Sequence, residues 1–182
     1  TKEEISDYID LMGKYGVTVI SDEIWADFMI QEGKKHTPTQ SVSDLAKRIT
    51  CAFYAPSKTF NLATCLTSTI VIENEELRKT WDDFVKVYNS VEVNVFGITA
   101  VEAALRGGEE WYQGVKKVIC SNYETVVEEM KEFPGVHIAP LEGTYLVFMD
   151  LRNYVPADDV RDFTQEKCRL AVDYGEWFGE NW

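Results

Sequence analysis

The sequence predicts an α/β fold in which a partial, open sheet is followed by a smaller α+β lobe. Three observations predict it. Short apolar runs rich in β-branched residues alternate with helical patterns in the first half of the chain. Long helical patterns then dominate the middle, and short strand patterns follow Pro134-Gly135. The pair Gly107-Gly108 separates two helices, so we predict one lobe over residues 1–106 and a second over 107–182.

The first lobe opens with an amphipathic helix and continues with buried strands. Residues 2–15 carry apolar side chains at helical spacing, and Thr1 with Glu4 forms a capping-box pattern. Residues 17–20 form an apolar run that predicts a strand buried on both faces, as in a parallel sheet. Two further strands and a short helix complete this part, with the strands at 49–54 and 68–72 and the helix at 42–47.

Helices dominate the rest of the chain. Three are predicted, at 75–89, 94–106 and 109–132, and the length of the third suggests that it connects the two lobes. The second lobe then has two short strands, at 136–139 and 145–150. Pro156 opens a last helix that extends to about Cys168.

Composition excludes several functional classes. The 182 residues carry a net charge of −13, and such an acidic surface repels the phosphate backbone of nucleic acids. Hydrophobic residues make up 45% of the chain, which is enough to build a core, yet no apolar run reaches the length of a membrane span. The four cysteines form no C-x-x-C pair and His36 and His137 have no companion at metal spacing, so we predict reduced core thiols, no metal and a cytoplasmic location.

Two charged residues follow predicted strands at the same edge of the sheet. Asp22 comes directly after the first strand and Lys58 shortly after the second, and ligands of open α/β sheets bind at this edge. Desolvation there disfavours the ammonium form of a lysine, which can then form an imine with an aldehyde. Their spacing alone is explained more simply by a surface lysine and a capping aspartate.

Five short motifs, which occur along the chain in the same order as in a known enzyme family, add weight to the functional interpretation. The chain resembles fold-type I pyridoxal-phosphate (PLP) enzymes of the aspartate aminotransferase superfamily, and within them the cystathionine β-lyase or C–S lyase branch. The resemblance covers nearly the whole chain. It rests on residues 21–24, 55–63, 107–111, 141–147 and 174–179.

The resemblance implies a PLP cofactor and a role for each matching residue. Lys58 would hold the cofactor as a Schiff base and act as acid and base at the substrate α-carbon, and Asp22 would keep the pyridine nitrogen protonated. Ile24 would pack on one face of the ring, Ser57 would lie near the phosphate, and Trp25 would lie beside the cofactor. The family also implies a homodimer, an amino-acid substrate, and a PLP-binding large domain over 1–106, with 107–182 holding the connecting helix and part of the small domain.

The chain also departs from the family pattern. Trp25 stands where relatives usually have tyrosine or histidine, Ala55 replaces a common serine, and Leu66 replaces a phosphate-binding arginine of aminotransferases. The glycine-rich phosphate turn and the substrate-carboxylate arginine of the family have no counterpart in the chain. We therefore expect these residues to be a fragment, inactive alone, of a protein about twice as long.

Three hypotheses of function follow. The first is a C–S β-lyase acting on cystathionine or S-substituted cysteines and giving pyruvate, ammonia and a thiol. The second is a class I or II aminotransferase, which would use the same Lys58 and Asp22. The third is a non-catalytic regulatory module that has kept the fold, and the departures at Trp25 and Ala55 give it some support.

Overall fold

A computed structural model describes residues 1–88 and 92–179, which form two compact units. The first unit contains residues 1–119 together with 142–144. The second contains residues 120–141 and the described residues from 145 onwards. The lobe boundary predicted at Gly107 stays a prediction about domain organisation.

The first unit holds a three-stranded sheet and most of the helices. Strand β2 lies in the centre, with β1 parallel to it on one side and β3 antiparallel on the other. The elements are α1 (Lys2–Lys14), β1 (Val19–Asp22), α2 (Asp44–Ile49), β2 (Thr50–Tyr54), α3 (Pro56–Thr59), β3 (Thr69–Val71), α4 (Glu75–Tyr88), α5 (Val95–Gly107) and the part of α6 (Glu109–Met130) that ends at Ile119.

The start of β1 shows why the predicted strand bounds shifted. Gly16 takes the left-handed conformation, with φ at +65°, which is common for a glycine just after a helix. The backbone N–H of Val17 donates to the carbonyl of Met12 at 3.0 Å, so Val17 belongs to the closing turn of α1. Strand β1 therefore begins two residues later than predicted and extends to Asp22.

The core of this unit lies on one face of β1. Ile9 of α1, Val19 of β1 and Ala46 of α2 are buried together there. The neighbouring side chain Ile20 points to the opposite face and is 75% exposed. The prediction that this strand is buried on both faces is therefore wrong, because among the described residues the helices α1 and α2 cover one face only.

The second unit contains the last turns of α6, a small hairpin and a short irregular helix. Strands β4 (His137–Ile138) and β5 (Met149–Asp150) pair antiparallel through two residue pairs, so both are shorter than predicted. The predicted final helix forms as a 3₁₀ turn at Ala157–Asp159, α7 at Val160–Asp162 and a wide π turn at Phe163–Lys167. Here the hydroxyl of Thr164 donates to the carbonyl of Val160 at 2.6 Å, a side-chain bond of the kind that bends helices.

The local predictions have different outcomes. The capping box of α1 is formed, with the Glu4 N–H donating to the Thr1 hydroxyl at 3.2 Å. Helix α4 was predicted to reach residue 89, which lies outside the described residues. All four cysteines are free, but none is fully buried and Cys168 is exposed, so they are not core thiols. Across 1–88 and 92–179, every helix is too short or too polar to cross a membrane.

Candidate active site

The carboxyl ends of β1 and β2 lie side by side. The two strands are parallel, and Asp22 at the end of β1 pairs in register with Phe53, one residue before the end of β2. Ala55 then turns the chain, and Pro56 opens α3, where proline's missing N–H is no loss. The register thus brings Asp22 and the short helix that carries Ser57 and Lys58 to the same edge of the sheet.

Asp22 faces an open cavity at this edge. The cavity has a volume of about 300 Å³ and is lined by Ile20, Asp22, Ile24, Phe53, Tyr54, Ala55 and Ser68. The Asp22 carboxylate is exposed to it and accepts a hydrogen bond from the backbone N–H of Ile24 at 3.1 Å. That bond fixes the direction of the carboxylate, and Ile24 adds apolar surface to the same cavity.

Lys58 lies in the single turn of α3 and is partly buried. Its Nζ atom is 5.4 Å from the centroid of the Trp25 indole, within the range of a cation–π interaction. Ser57 precedes it and accepts a hydrogen bond at its carbonyl from the Leu62 N–H at 2.9 Å. The tryptophan that replaces the usual tyrosine or histidine therefore contacts the lysine directly.

The turn that carries Lys58 is anchored through its neighbour Thr59. Thr59 is buried, and its hydroxyl donates to the carboxylate of Asp27 at 2.6 Å. The hydroxyl of Tyr112 in α6 donates to the backbone carbonyl of the same Asp27. The first contact connects α3 to the segment after β1, and the second connects that segment to α6, so Thr59 anchors the turn that carries Lys58.

A buried carboxylate lies directly beside Asp22. Glu23 is 5% exposed, and it is the centre of the Glu23 cluster, which consists of Ser21, Glu23, His36, Thr39 and Tyr54. Its Oε1 accepts from the Ser21 hydroxyl and the Thr39 N–H, both at 3.1 Å. Its Oε2 accepts from the Tyr54 hydroxyl at 2.9 Å and lies 2.6 Å from Nε2 of His36.

The bonds in the Glu23 cluster explain how a carboxylate remains charged in this position. Burial raises the pKa of Glu23, but the hydrogen bonds from His36, Thr39, Tyr54 and Ser21 stabilise the carboxylate more strongly, and the net pKa lies below the usual glutamate value. Burial and the adjacent Glu23 carboxylate raise the pKa of Tyr54 well above its ordinary value. Tyr54 is therefore a neutral donor at physiological pH.

Sequence reasoning did not single out Glu23, although a signal was present. Side chains alternate along a strand, so Ser21 and Glu23 must point to the opposite side from Asp22. An acidic residue that continues a strand on the side facing the core needs hydrogen-bond donors. Two of the four donors come from His36 and Thr39, in a loop whose path the sequence pattern did not predict.

A distant motif also joins this region. Residues 142–144 pack against residues 28 and 29, and Met29 and Gly143 form an antiparallel bridge. The Thr144 N–H donates to the carbonyl of Phe28 at 2.7 Å, and a Cβ on Gly143 would lie 3.1 Å from that oxygen. The glycine thus allows the close approach of two backbones, which gives a physical reason for the motif at 141–147.

The chain matches the family model for aminotransferase class I and II over residues 1–179, and it belongs to that family. Among curated proteins it is 30% identical over 181 residues to cystathionine β-lyase PatB of Bacillus subtilis, covering 98% of this chain and 46% of PatB. The chain therefore spans about half the length of such relatives.

Solved structures agree in fold over nearly the whole chain. Cystalysin from Treponema denticola, whose structure contains pyridoxal 5′-phosphate, superposes with a TM-score of 0.92 at 29% identity, covering 99% of this chain and 46% of cystalysin. A PLP-bound C–S lyase from Staphylococcus hominis superposes with a TM-score of 0.88 at 27% identity, covering 100% of this chain and 46% of that one. The fold is that of fold-type I PLP enzymes, as the sequence predicted.

The chemistry of the residues at the strand ends fits this cofactor. A pyridinium ring needs an anion opposite its nitrogen, apolar surface against its face and an amine that can form an imine with its aldehyde. Asp22 and Ile24 line one cavity and supply the first two. Lys58, one turn beyond the neighbouring strand, supplies the amine. Leu66 is exposed, with φ at +48°, and it carries no charge for a phosphate.

Proposed function

We propose that the protein containing this chain is a PLP-dependent C–S β-lyase that cleaves cystathionine or S-substituted cysteines. The observation that carries the proposal is the parallel register of β1 and β2, which brings Asp22 and the Lys58 turn to one edge of the sheet. Family membership and the C–S lyase relatives support the choice of reaction.

Each residue at the edge has a proposed task. Lys58 would hold the cofactor through its Nζ, and its free amine would take the proton from the substrate α-carbon. Asp22 would hold a proton on the ring nitrogen. Ile24 would pack against the ring and exclude water, and Ser57 would lie near the phosphate.

Trp25 is the proposed support for the lysine. Its indole faces Nζ of Lys58 at 5.4 Å and attracts the amine when it is protonated. It would thereby hold the protonated Nζ in place once the α-proton has been taken up. Tyrosine at this position would offer a hydroxyl and a smaller ring face, and histidine would offer two polar ring nitrogens.

The cofactor, when bound, supplies an electron sink for the negative charge that develops at the α-carbon. In the overall reaction the α-proton is removed and the bond between the β-carbon and sulfur breaks, with the sulfur leaving as a thiolate. One water is consumed. The products are one pyruvate, one ammonia and one thiol for each S-substituted cysteine.

An aminotransferase is the second candidate, because the matching family model is that of aminotransferase class I and II. Such an enzyme would use Lys58 and Asp22 in the same places but would transfer the amino group to a keto acid. The two reactions differ in their products, since only the lyase releases pyruvate from an S-substituted cysteine when no keto acid is added.

The test is to incubate the complete gene product with PLP and S-ethylcysteine and to measure pyruvate, ammonia and thiol. We expect equal amounts of the three without any keto acid. Alanine, which has no leaving group on its β-carbon, is the matched control and should give no ammonia. Amino transfer to an added keto acid, with no pyruvate formed in its absence, would replace the lyase by the aminotransferase.

A further inference from the structure

The ladder between β1 and β2 is short for the precision that the site needs. It contains four residue pairs, from Val19 with Thr50 to Asp22 with Phe53, and Asp22 is the last residue of its strand. A slip of one residue in such a ladder would turn Asp22 to the other face of the sheet. Something beyond the ladder must therefore fix its carboxyl end.

Glu23 provides contacts beyond the end of this ladder. Its backbone N–H donates to the carbonyl of Phe53 at 2.8 Å, and its side chain accepts from the hydroxyl of Tyr54 at 2.9 Å. One residue thus binds the last two residues of β2 through both its backbone and its side chain. It directly follows Asp22, and Tyr54 lies four residues before Lys58.

The Glu23 cluster also connects the strand ends to the loop below them. His36 and Thr39 contribute two of the four donors to the carboxylate, and the Ser21 hydroxyl lies 2.8 Å from the hydroxyl of Thr39. A buried carboxylate with partners on three separate segments cannot move without breaking hydrogen bonds on all of them. The cluster therefore makes the relative position of the segments rigid at this point.

We propose that Glu23 is a positioning residue, which fixes the carboxylate of Asp22 relative to the turn that carries Lys58. This inference rests on the proposed function, because it assigns Glu23 a role in the alignment of the cofactor. The side chains of Glu23 and Asp22 point to opposite faces of the sheet, so Glu23 acts on Asp22 through the Glu23 cluster and not by direct contact.

The test compares Glu23→Ala with the conservative Glu23→Gln and with Gln40→Ala as the matched control. Gln40 is 6% exposed and lies in the same loop, but its amide donates to the carbonyl of Thr50, at the opposite end of β2, and to that of Val71, at the end of β3. Each variant is made in the complete gene product and loaded with PLP labelled with ¹⁵N in the ring. The ¹⁵N chemical shift reports the proton that Asp22 holds on the ring nitrogen, independently of turnover.

We expect wild type and Gln40→Ala to share the shift of a protonated ring, and Glu23→Gln, which keeps one acceptor oxygen, to depart from it less than Glu23→Ala. In Glu23→Ala the shift should move toward the unprotonated value. Its kcat should fall by about a hundredfold, the loss typical of a misplacement of about 1 Å, with a much smaller change in KM. If Glu23→Ala does not fold, Tyr54→Phe removes one donor of the cluster and should move the same shift in the same direction by less.

Three results separate the possible failures. A wild-type protein that binds no PLP, or whose ring nitrogen is unprotonated, contradicts the proposed function itself. If the ring is protonated in wild type and the shift is unchanged in the folded Glu23→Ala variant, only the role of Glu23 is overturned. When Glu23→Ala does not fold, an unchanged shift in Tyr54→Phe has the same meaning. An equal loss of kcat in Gln40→Ala and Glu23→Ala would also overturn it, since it would reduce the effect to lost stability.

Discussion

Two buried threonines should respond in opposite ways to the same substitution. Thr59, 2% exposed, donates its hydroxyl to the Asp27 carboxylate at 2.6 Å beside Lys58. Thr50 is 0% exposed at the start of β2, and its hydroxyl has no hydrogen-bond partner among the described residues. Valine has nearly the shape of threonine but no hydroxyl, so Thr59→Val removes a hydrogen bond whereas Thr50→Val removes an unsatisfied group.

The expected magnitudes follow from these environments. A hydrogen bond to a charged group contributes about 1.5–3 kcal/mol, and the lower end applies to Thr59 because Asp27 is exposed and water can replace the lost donor. At about 1.4 kcal/mol per factor of ten, local opening of the turn should rise about tenfold. A buried unsatisfied hydroxyl costs at least about 1 kcal/mol, so Thr50→Val should stabilise β2 and slow its opening about fivefold.

Hydrogen exchange read by mass spectrometry on the complete gene product measures both effects. Peptides that cover residues 56–62 report the Lys58 turn through the amides of Phe60 and Leu62, which are bonded to Pro56 and Ser57. Peptides that cover residues 50–54 report β2. Unchanged exchange at 56–62 in Thr59→Val, or faster exchange at 50–54 in Thr50→Val, would refute the assignment of these hydroxyls.

Four further predictions concern the site and the chain. Asp22→Ala should keep PLP bound but lose several kcal/mol of transition-state stabilisation, a drop of about a thousandfold or more in kcat; activity within about tenfold of wild type would exclude its role. The folded-state pKa of Glu23 lies below the ordinary value of 4.5, so the stability that Glu23 contributes should be complete above that pH and be lost as pH falls through the folded pKa. Between pH 7 and pH 3 the thermal unfolding temperature should therefore fall more steeply in wild type than in Glu23→Gln. Equal slopes of unfolding temperature against pH would contradict this. The 182 residues alone should self-associate through the edge of β1 and release no pyruvate from S-ethylcysteine; pyruvate at the rate of the complete protein would contradict this. Light scattering should find the complete gene product as a homodimer, and a complete protein found only as monomer would contradict that expectation.

The sequence predicted the order of elements better than their surroundings. Helices α1, α4, α5 and α6 begin within about a residue of their predicted positions, because each has strong helical spacing and a cap or a glycine near its end. The burial of β1 was predicted wrongly, since an apolar run does not say whether a second layer covers it. Ile20 shows this most clearly, because its β-branched side chain is mostly exposed although it lies within a strand.

The candidate site divides in the same way. Asp22 and Lys58 could be selected from sequence because both follow strands and match a family motif. The partners of the anchoring residues could not, because Thr59 contacts Asp27 and Glu23 contacts His36 only through the path of the loops. Long-range contacts of this kind depend on tertiary packing, which no local pattern encodes.

The most direct test of the central claim is to identify the residue that binds PLP. The complete gene product is incubated with PLP, reduced with borohydride and digested, and the modified peptide is identified by mass spectrometry. We predict one stoichiometric adduct, on Lys58, that is absent from Lys58→Ala and unaffected by Lys79→Ala, a substitution of an exposed lysine in α4. An adduct on another lysine, or no adduct in the wild-type protein, would contradict the assignment of Lys58, and the second result would favour a non-catalytic module that has kept the fold.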